Sequence, residues 1–195
     1  MCSRIQLRKQ IRAQRRALGL QQQINASEQL ADKISASRIF CNSQRIAAYL
    51  PVDGEIDPMP LIELAWSMHK KIYLPVLAPP YSGKLWFVHY QPQTRMVKNR
   101  FSIPEPVANH RQHISAYALD LVLTPLVGFD KQGNRLGMGG GFYDRTFAFL
   151  NHRKHLKKPH LLGVGYEIQR LNKLTSEAWD VRLHSVATER NYFSC

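Results

Sequence analysis

Residues 119–145 read LDLVLTPLVGFDKQGNRLGMGGGFYDR, and their order decides the fold. The first part, Leu119–Val127, is a short apolar run broken only by Asp120, Thr124 and Pro125, the pattern of a strand buried on both faces. A glycine-rich loop follows, and helical character returns from Phe142 to Asn151. Strand, loop and helix in that order make half of a βαβ unit, which a further parallel strand must close. His160–Tyr166 (HLLGVGY) is that strand.

The alternation extends towards both termini. Ser3 is a candidate N-cap for a basic amphipathic helix over about residues 3–18, with Leu7, Ile11 and Leu18 on one side and Gly19 ending it. A second helix is predicted from Ile24 to Ile39, with Ile24, Leu30, Ala31 and Ile34 turned inward. Arg45–Leu50, Lys71–Leu77, Lys84–Tyr90 and Ser185–Thr188 read as strands and Pro60–His69 as a helix. The stretch around Pro92, Pro104 and Pro106 reads as irregular, with turns at residues 79–83 and near Trp179. The fold class is α/β: a mainly parallel sheet flanked by helices, with ligands expected at the carboxyl ends of its strands. A length of 195 residues suits one domain, 1–195, at about 100–200 residues per domain.

Composition narrows the function. Apolar residues make up 44% of the chain, enough to bury a core, so disorder is excluded. No apolar run approaches the roughly 18 residues of a membrane span, and MCSRIQLRKQIRAQRR lacks the apolar core of a secretory signal; a cytoplasmic location is expected. Cys2, Cys41 and Cys195 form neither a disulfide framework nor a zinc pattern, and His152, His155 and His160 sit among lysines at no zinc spacing. Covalent catalysis has no GxSxG elbow or CxxC pair to support it.

The formal charge is +13. Arg4, Arg8, Lys9, Arg12, Arg15 and Arg16 all precede the first acidic residue, and Arg153, Lys154, Lys157 and Lys158 form a second group. Such a field draws polyanions: nucleic acid, nucleotide phosphates or polycarboxylates. Zinc-finger spacing, a ribonucleoprotein motif and a basic region running into heptads are all missing from the sequence. No nucleic acid partner is expected, although a basic RNA-binding module stays open as an alternative carried by charge alone.

Gly137, Gly139, Gly140 and Gly141 stand just before the predicted helix, bracketed by Arg135 and Arg145. Without Cβ atoms, such a loop can turn backbone N–H groups onto an anion. The loop matches neither GxxxxGK[ST] nor GxGxxG, since Phe142 stands where a third glycine belongs. Asp144 faces the same loop, and a carboxylate beside phosphates calls for a hard cation such as Mg²⁺. The alternative for Asp144 is a carboxylate stabilised at a helix terminus.

These residues resemble the signature of the 5-formyltetrahydrofolate cyclo-ligase (methenyltetrahydrofolate synthetase) family. RLGMGGGFYDR preceded by TPLVGFDKQGN carries the resemblance, and LRKQIRAQRRAL, YLPVDGEID, YLPV, IPEP and EAWDVRLHSVAT extend it over nearly the whole chain. The resemblance implies an α/β fold related to the ribose-phosphate isomerase and CoA-transferase group. It implies ATP- and Mg²⁺-dependent closure of 5-formyltetrahydrofolate to 5,10-methenyltetrahydrofolate, with release of ADP and phosphate.

By the same resemblance Arg8, Arg135, Tyr143 and Arg145 are catalytic. Arg4, Arg8 and the run Arg135, Leu136, Gly137, Met138, Gly139, Gly140, Gly141, Phe142 and Tyr143 bind ATP. Val52, Glu55, Asp57, Gly139, Gly140, Gly141 and Phe142 contact folate. Asp144 matches a magnesium ligand, and a second metal position falls on His184, where the family pattern has aspartate.

Glu55 and Asp57, two apart, would share one face of an extended segment and could accept N–H bonds from a pterin edge. Phe142, Tyr143 and Trp86 are candidates to pack the ring, and Glu105 to shape the nucleotide site. Expected partners are ATP and 5-formyltetrahydrofolate, with or without a polyglutamate tail, bound by a monomer or weak homodimer. A sugar-phosphate isomerase or CoA-transferase-like enzyme is the second alternative.

Overall fold

The structure is a computed structural model and describes residues 3–79, 82–107, 113–152 and 158–195. The basic positions Arg153, Lys154 and Lys157, together with Cys2, His155 and part of the 79–83 turn, lie outside the described residues.

Among the described residues, five helices, α1 (Arg4–Arg16), α2 (Leu20–Ser35), α3 (Arg38–Asn42), α4 (Met59–Ser67) and α5 (Phe142–Phe147), surround an eight-stranded sheet. The sheet strands are β1 (Arg45–Ala47), β2 (Lys71–Leu77), β3 (Leu85–Tyr90), β6 (His113–Ile114), β7 (Leu121–Pro125), β10 (His160–Val164), β11 (Ser185–Ala187) and β12 (Tyr192–Ser194). Two small hairpins stand apart from it: β4 (Met96–Lys98) with β5 (Pro104–Pro106), and β8 (Gly128–Phe129) with β9 (Arg135–Leu136).

The sheet order is β12-β11-β10-β7-β1-β2-β3-β6. Its five central strands, β11 to β2, run parallel, while β12, β3 and β6 are antiparallel additions. Strand order reverses between β1 and β7: from β1 the chain goes to β2 on one side, then returns to β7 on the other. That switch point opens a crevice beyond the carboxyl ends of the strands, where ligands bind in open α/β sheets.

Alternate residues feed opposite faces, as period-two geometry requires. Ile46, Ile72, Leu121 and Leu162 pack with Leu30, Ile34, Phe40 and Ile62 of α2, α3 and α4. Ala47, Tyr73, Val122 and Leu161 pack with Phe87, Phe147 of α5 and Leu183. Among the described residues, no helix is long and apolar enough to cross a membrane.

Several boundaries depart from the sequence reading for local reasons. Gly19 opens α2 as well as separating it from α1, because its amide donates to Gln22 Oε1 at 2.9 Å. Ile24 is consequently 43% exposed on α2 while Leu30, Ala31 and Ile34 are buried. Ser37 breaks the predicted second helix by capping α3 through the Phe40 amide. The proline-rich stretch forms the β4–β5 hairpin, paired apart from the main sheet where prolines are tolerated. The predicted helix from Phe142 tightens to a 3₁₀ turn at Ala148–His152, and an additional edge strand, β12, follows β11.

Candidate active site

Helix α1 begins with a capping box, Ser3 accepting from the Gln6 amide while Gln6 accepts from Ser3. Ile11 and part of Leu7 anchor it against Val127, Leu136 and Leu174. The helix thereby lies over the crevice, and its arginines fan out to separate loops. Arg4 donates to Asp180 Oδ2 at 3.1 Å and to the Thr175 carbonyl at 3.3 Å. Arg8 Nε donates to the Gly137 carbonyl at 2.8 Å. Arg12, Arg15 and Arg16 all pair with Asp53. The N-terminal arginines thus tie α1 to the loops at residues 53, 137 and 175–180.

The glycine loop grows from a rigid stem. Asp130, fully buried, accepts from the Gln132, Asn134 and Leu174 amides and from the Asn134 side chain, fixing the β8–β9 turn. Leu136 is core, its carbonyl taken by the Val127 amide, so the exposed part of the loop starts at Gly137. Gly139 has φ +102° and Gly141 φ +64°, conformations open to glycine at little cost. Met138, Gly139 and Gly140 stand exposed. α5 has only six residues, so loop amides and flanking guanidiniums, rather than a long helix dipole, supply the attraction for an anion.

Arg8 and Arg145 hold the two ends of this loop. Arg145 donates through Nε to the Gly83 carbonyl at 2.9 Å and through Nη2 to the Gly140 carbonyl, with its guanidinium 5.4 Å from the Phe142 ring centre. Phe142 also meets Phe101 edge-on at 6.0 Å. Arg135 is nearly buried, donating to the Val181 carbonyl and pairing with Asp144, whose Oδ1 also accepts the Val181 amide at 3.2 Å. Desolvation lowers the Arg135 pKa and Asp144 opposes that shift. Arg135 thus faces Asp144 and the backbone at Val181 rather than open solvent.

Across the crevice, the loop after β1 turns sharply, with φ +55° at Asp53 and +74° at Gly54. Glu55 folds back so that its Oε2 accepts the Val52 amide at 3.2 Å. It is 8% exposed, and burial raises its pKa to about 7 against the opposing charge of Arg15. Tyr143 faces it from α5: burial, and then the Glu55 carboxylate, push the phenol up. Asp57 Oδ1 accepts the Met59 amide, the first of α4, at 2.9 Å, and both acids lie within electrostatic reach of Tyr49 and Tyr166.

The structure therefore brings Arg8 and Arg145 onto the glycine loop, with the Arg135–Asp144 pair at its base, and sets Val52 and Glu55 in the turn that follows β1. His184 lies elsewhere: its Nδ1 accepts the Leu161 amide at 2.9 Å and its ring stacks on His160, near the amino ends of β10 and β11. Trp86 stacks on His113 at 4.0 Å beside a separate cavity of about 440 Å³ that Arg145 also lines. Glu105 accepts from the Leu77 amide and the Asn99 side chain, bracing the β4–β5 hairpin. Sequence reasoning missed Asp53 and Arg15. The available signal was the spacing Leu7, Ile11, Arg15, which puts one arginine on the apolar stripe of α1.

A family model for the 5-formyltetrahydrofolate cyclo-ligase family matches residues 1–189. The chain is 42% identical over 178 residues to the 5-formyltetrahydrofolate cyclo-ligase of Escherichia coli (strain K12), covering 91% of this chain and 96% of that protein. It is 39% identical over 183 residues to the Haemophilus influenzae cyclo-ligase, covering 94% and 96%. The solution structure of Aquifex aeolicus 5,10-methenyltetrahydrofolate synthetase superposes with a TM-score of 0.81 at 28% identity, over 98% of this chain and 92% of that one. A family model over residues 1–189 and relatives about 40% identical across nearly their whole length agree, and the chain belongs to the 5-formyltetrahydrofolate cyclo-ligase family.

Proposed function

We propose that this 5-formyltetrahydrofolate cyclo-ligase closes its substrate to 5,10-methenyltetrahydrofolate by transient phosphorylation of the formyl oxygen. The observation that carries the reading is the exposed glycine loop tied at its two ends by Arg8 and Arg145. A formyl oxygen is a poor leaving group. Transfer of the γ-phosphoryl group of ATP onto that oxygen releases ADP and makes the formyl carbon electrophilic. N10 then attacks, loses its proton, and the C–O bond breaks as phosphate departs.

The protein's task is positioning and charge neutralisation. Loop amides at Gly139 to Gly141 receive phosphate oxygens, Arg8 and Arg145 compensate the charge at the loop's ends, and Arg4 adds to the field at the start of α1. Val52, Glu55 and Phe142 hold the pterin on the opposite wall. Glu55 accepts its N–H groups in the carboxylate form.

Asp144 Oδ1 is engaged by Arg135 and the Val181 amide, and among the described residues no cluster of three acidic, histidine or cysteine side chains is set to hold a metal, so a magnesium ion would arrive with the nucleotide and lean on Asp144 alone. Mg²⁺ commonly takes one or two carboxylates, waters and substrate phosphates rather than an all-protein cage, and Asp144 offers one carboxylate beside the loop. There Mg²⁺ would neutralise phosphate charge, with Asp144 as its protein ligand and His184 outside the site. Mixing protein, ATP, Mg²⁺ and 5-formyltetrahydrofolate should give growing absorbance from the methenyl product. Folded protein giving no such signal, or giving it equally without ATP, would overturn the reading.

A further inference from the structure

Arg15 occupies a position that helix periodicity reserves for an apolar side chain, and it is 0% exposed. A buried guanidinium is costly unless its N–H groups find acceptors. Arg15 finds them on both sides of the switch point. Nε and Nη2 donate to the Asp53 carbonyl at 3.0 and 2.8 Å, Nη2 also to Asp53 Oδ2 at 2.9 Å, and Nη1 to the Leu126 carbonyl at 3.2 Å. Residue 53 follows β1 and residue 126 follows β7, so one side chain staples the loops of the two strands that flank the crevice. Its Nη1 stands 3.8 Å from Glu55 Oε1, an ion pair at the crevice floor.

Building on the cyclo-ligase reading, we infer that Arg15 is a positioning residue: it locks residues 52–56 across the switch point and aims the Glu55 carboxyl group at the folate. The groups around Glu55 are Arg15 and Arg12 from α1, Asp53 on its own loop, Tyr49 after β1, Tyr143 on α5 and Tyr166 after β10. Of these, the two arginines favour the ionised form, and Arg15 is the nearer and drier. Arg16 also pairs with Asp53 but lies largely in solvent, so it separates an effect of Asp53 from an effect on Glu55.

The test compares wild type, Arg15→Lys, Arg15→Met and the control Arg16→Met, each checked for a cooperative thermal transition. Steady-state kinetics are run with ATP, Mg²⁺ and 5-formyltetrahydrofolate, alongside calorimetric binding of 5-formyltetrahydrofolate without ATP. Both Arg15 variants should raise KM and weaken direct binding of the folate by about 10-fold or more, the loss expected for a charge-assisted contact, while KM for ATP changes by less than about 2-fold, as for an exposed ion pair. Arg15→Met should move the acid limb of the kcat/KM profile to higher pH by about 1 or more, the effect of removing an opposite charge within ion-pair reach; Arg15→Lys should leave that limb in place, and Arg16→Met should behave as wild type.

Folded Arg15 variants with wild-type folate affinity and an unmoved acid limb would overturn the inference, as would an equal loss in Arg16→Met. If Arg15→Met does not fold, Arg15→Lys decides by its folate-against-ATP split. A wild-type protein that fails to turn over sinks the cyclo-ligase mechanism instead, a separate outcome.

Discussion

Glu55 is a carboxylate buried beside the Arg15 guanidinium. Burial raises its pKa from 4.5 to about 7, so the folded state holds this proton more tightly than the unfolded chain. Its contribution to stability is therefore full below about 4.5 and is lost as pH rises through about 7, an effect on the order of 3 kcal/mol from a shift of this size. Glu55→Gln should remove that dependence. Urea titrations at pH 5 and pH 8 should show the variant gaining on wild type at the higher pH, while its folate affinity falls; parallel curves would contradict the buried-carboxylate picture. Asp144 has a different balance. It is the partner of the nearly buried Arg135, so Asp144→Asn should cost about 1–2 kcal/mol in thermal unfolding because a charge-assisted bond becomes a neutral one. It should also raise the Mg²⁺ concentration needed for half-maximal turnover. A magnesium titration identical to wild type would remove Asp144 from the metal site.

At the scale of elements, the glycine loop and α1 work as a pair. Gly141 is the N-cap of α5 in the left-handed region, and a Cβ there would lie 2.7 Å from Arg145 Nη1. Gly141→Ala should cost about 1 kcal/mol in backbone strain and displace Arg145 from the Gly140 carbonyl. The readout is KM for ATP, which should rise more than KM for 5-formyltetrahydrofolate; an equal rise in both would place the damage outside the nucleotide loop. Arg8 acts at the other end of that loop through Gly137. Arg8→Ala should lower kcat/KM by about 10- to 150-fold, the value of one charge-assisted bond, with a melting temperature close to wild type because Arg8 is only partly buried. Helix α1 is thus both the clamp across the crevice and the source of its positive field. The sequence showed the field directly in its run of arginines. It showed the clamp only in the misfit of Arg15 on an apolar stripe.

Across the whole molecule, ligand and fold are linked because the crevice is bounded by loops from distant parts of the chain: residues 52–56, 126, 137–145 and 175–181. A ligand that bridges them binds the folded state alone. At about 100 times its dissociation constant it should add about 2.7 kcal/mol, which for a chain of this size is a rise of about 5–10 °C in melting temperature. Thermal scans with ATP and Mg²⁺, and separately with 5-formyltetrahydrofolate, measure this, and an unchanged transition at saturation would count against a site built from these loops. By itself the sequence determined the α/β alternation, the strands beginning at Lys71 and His160, the basic first helix and the glycine loop bracketed by Arg135 and Arg145. Those features are written in local periodicity, glycine spacing and charge runs, which act over a few residues. Only the tertiary structure decided the order of strands, the switch point between β1 and β7, the meeting of Arg8 with Gly137, the Arg135–Asp144 pair and the seat of His184 at the amino ends of β10 and β11. Each of these depends on which distant backbone groups meet once the sheet closes, and chain-local patterns carry no record of that meeting.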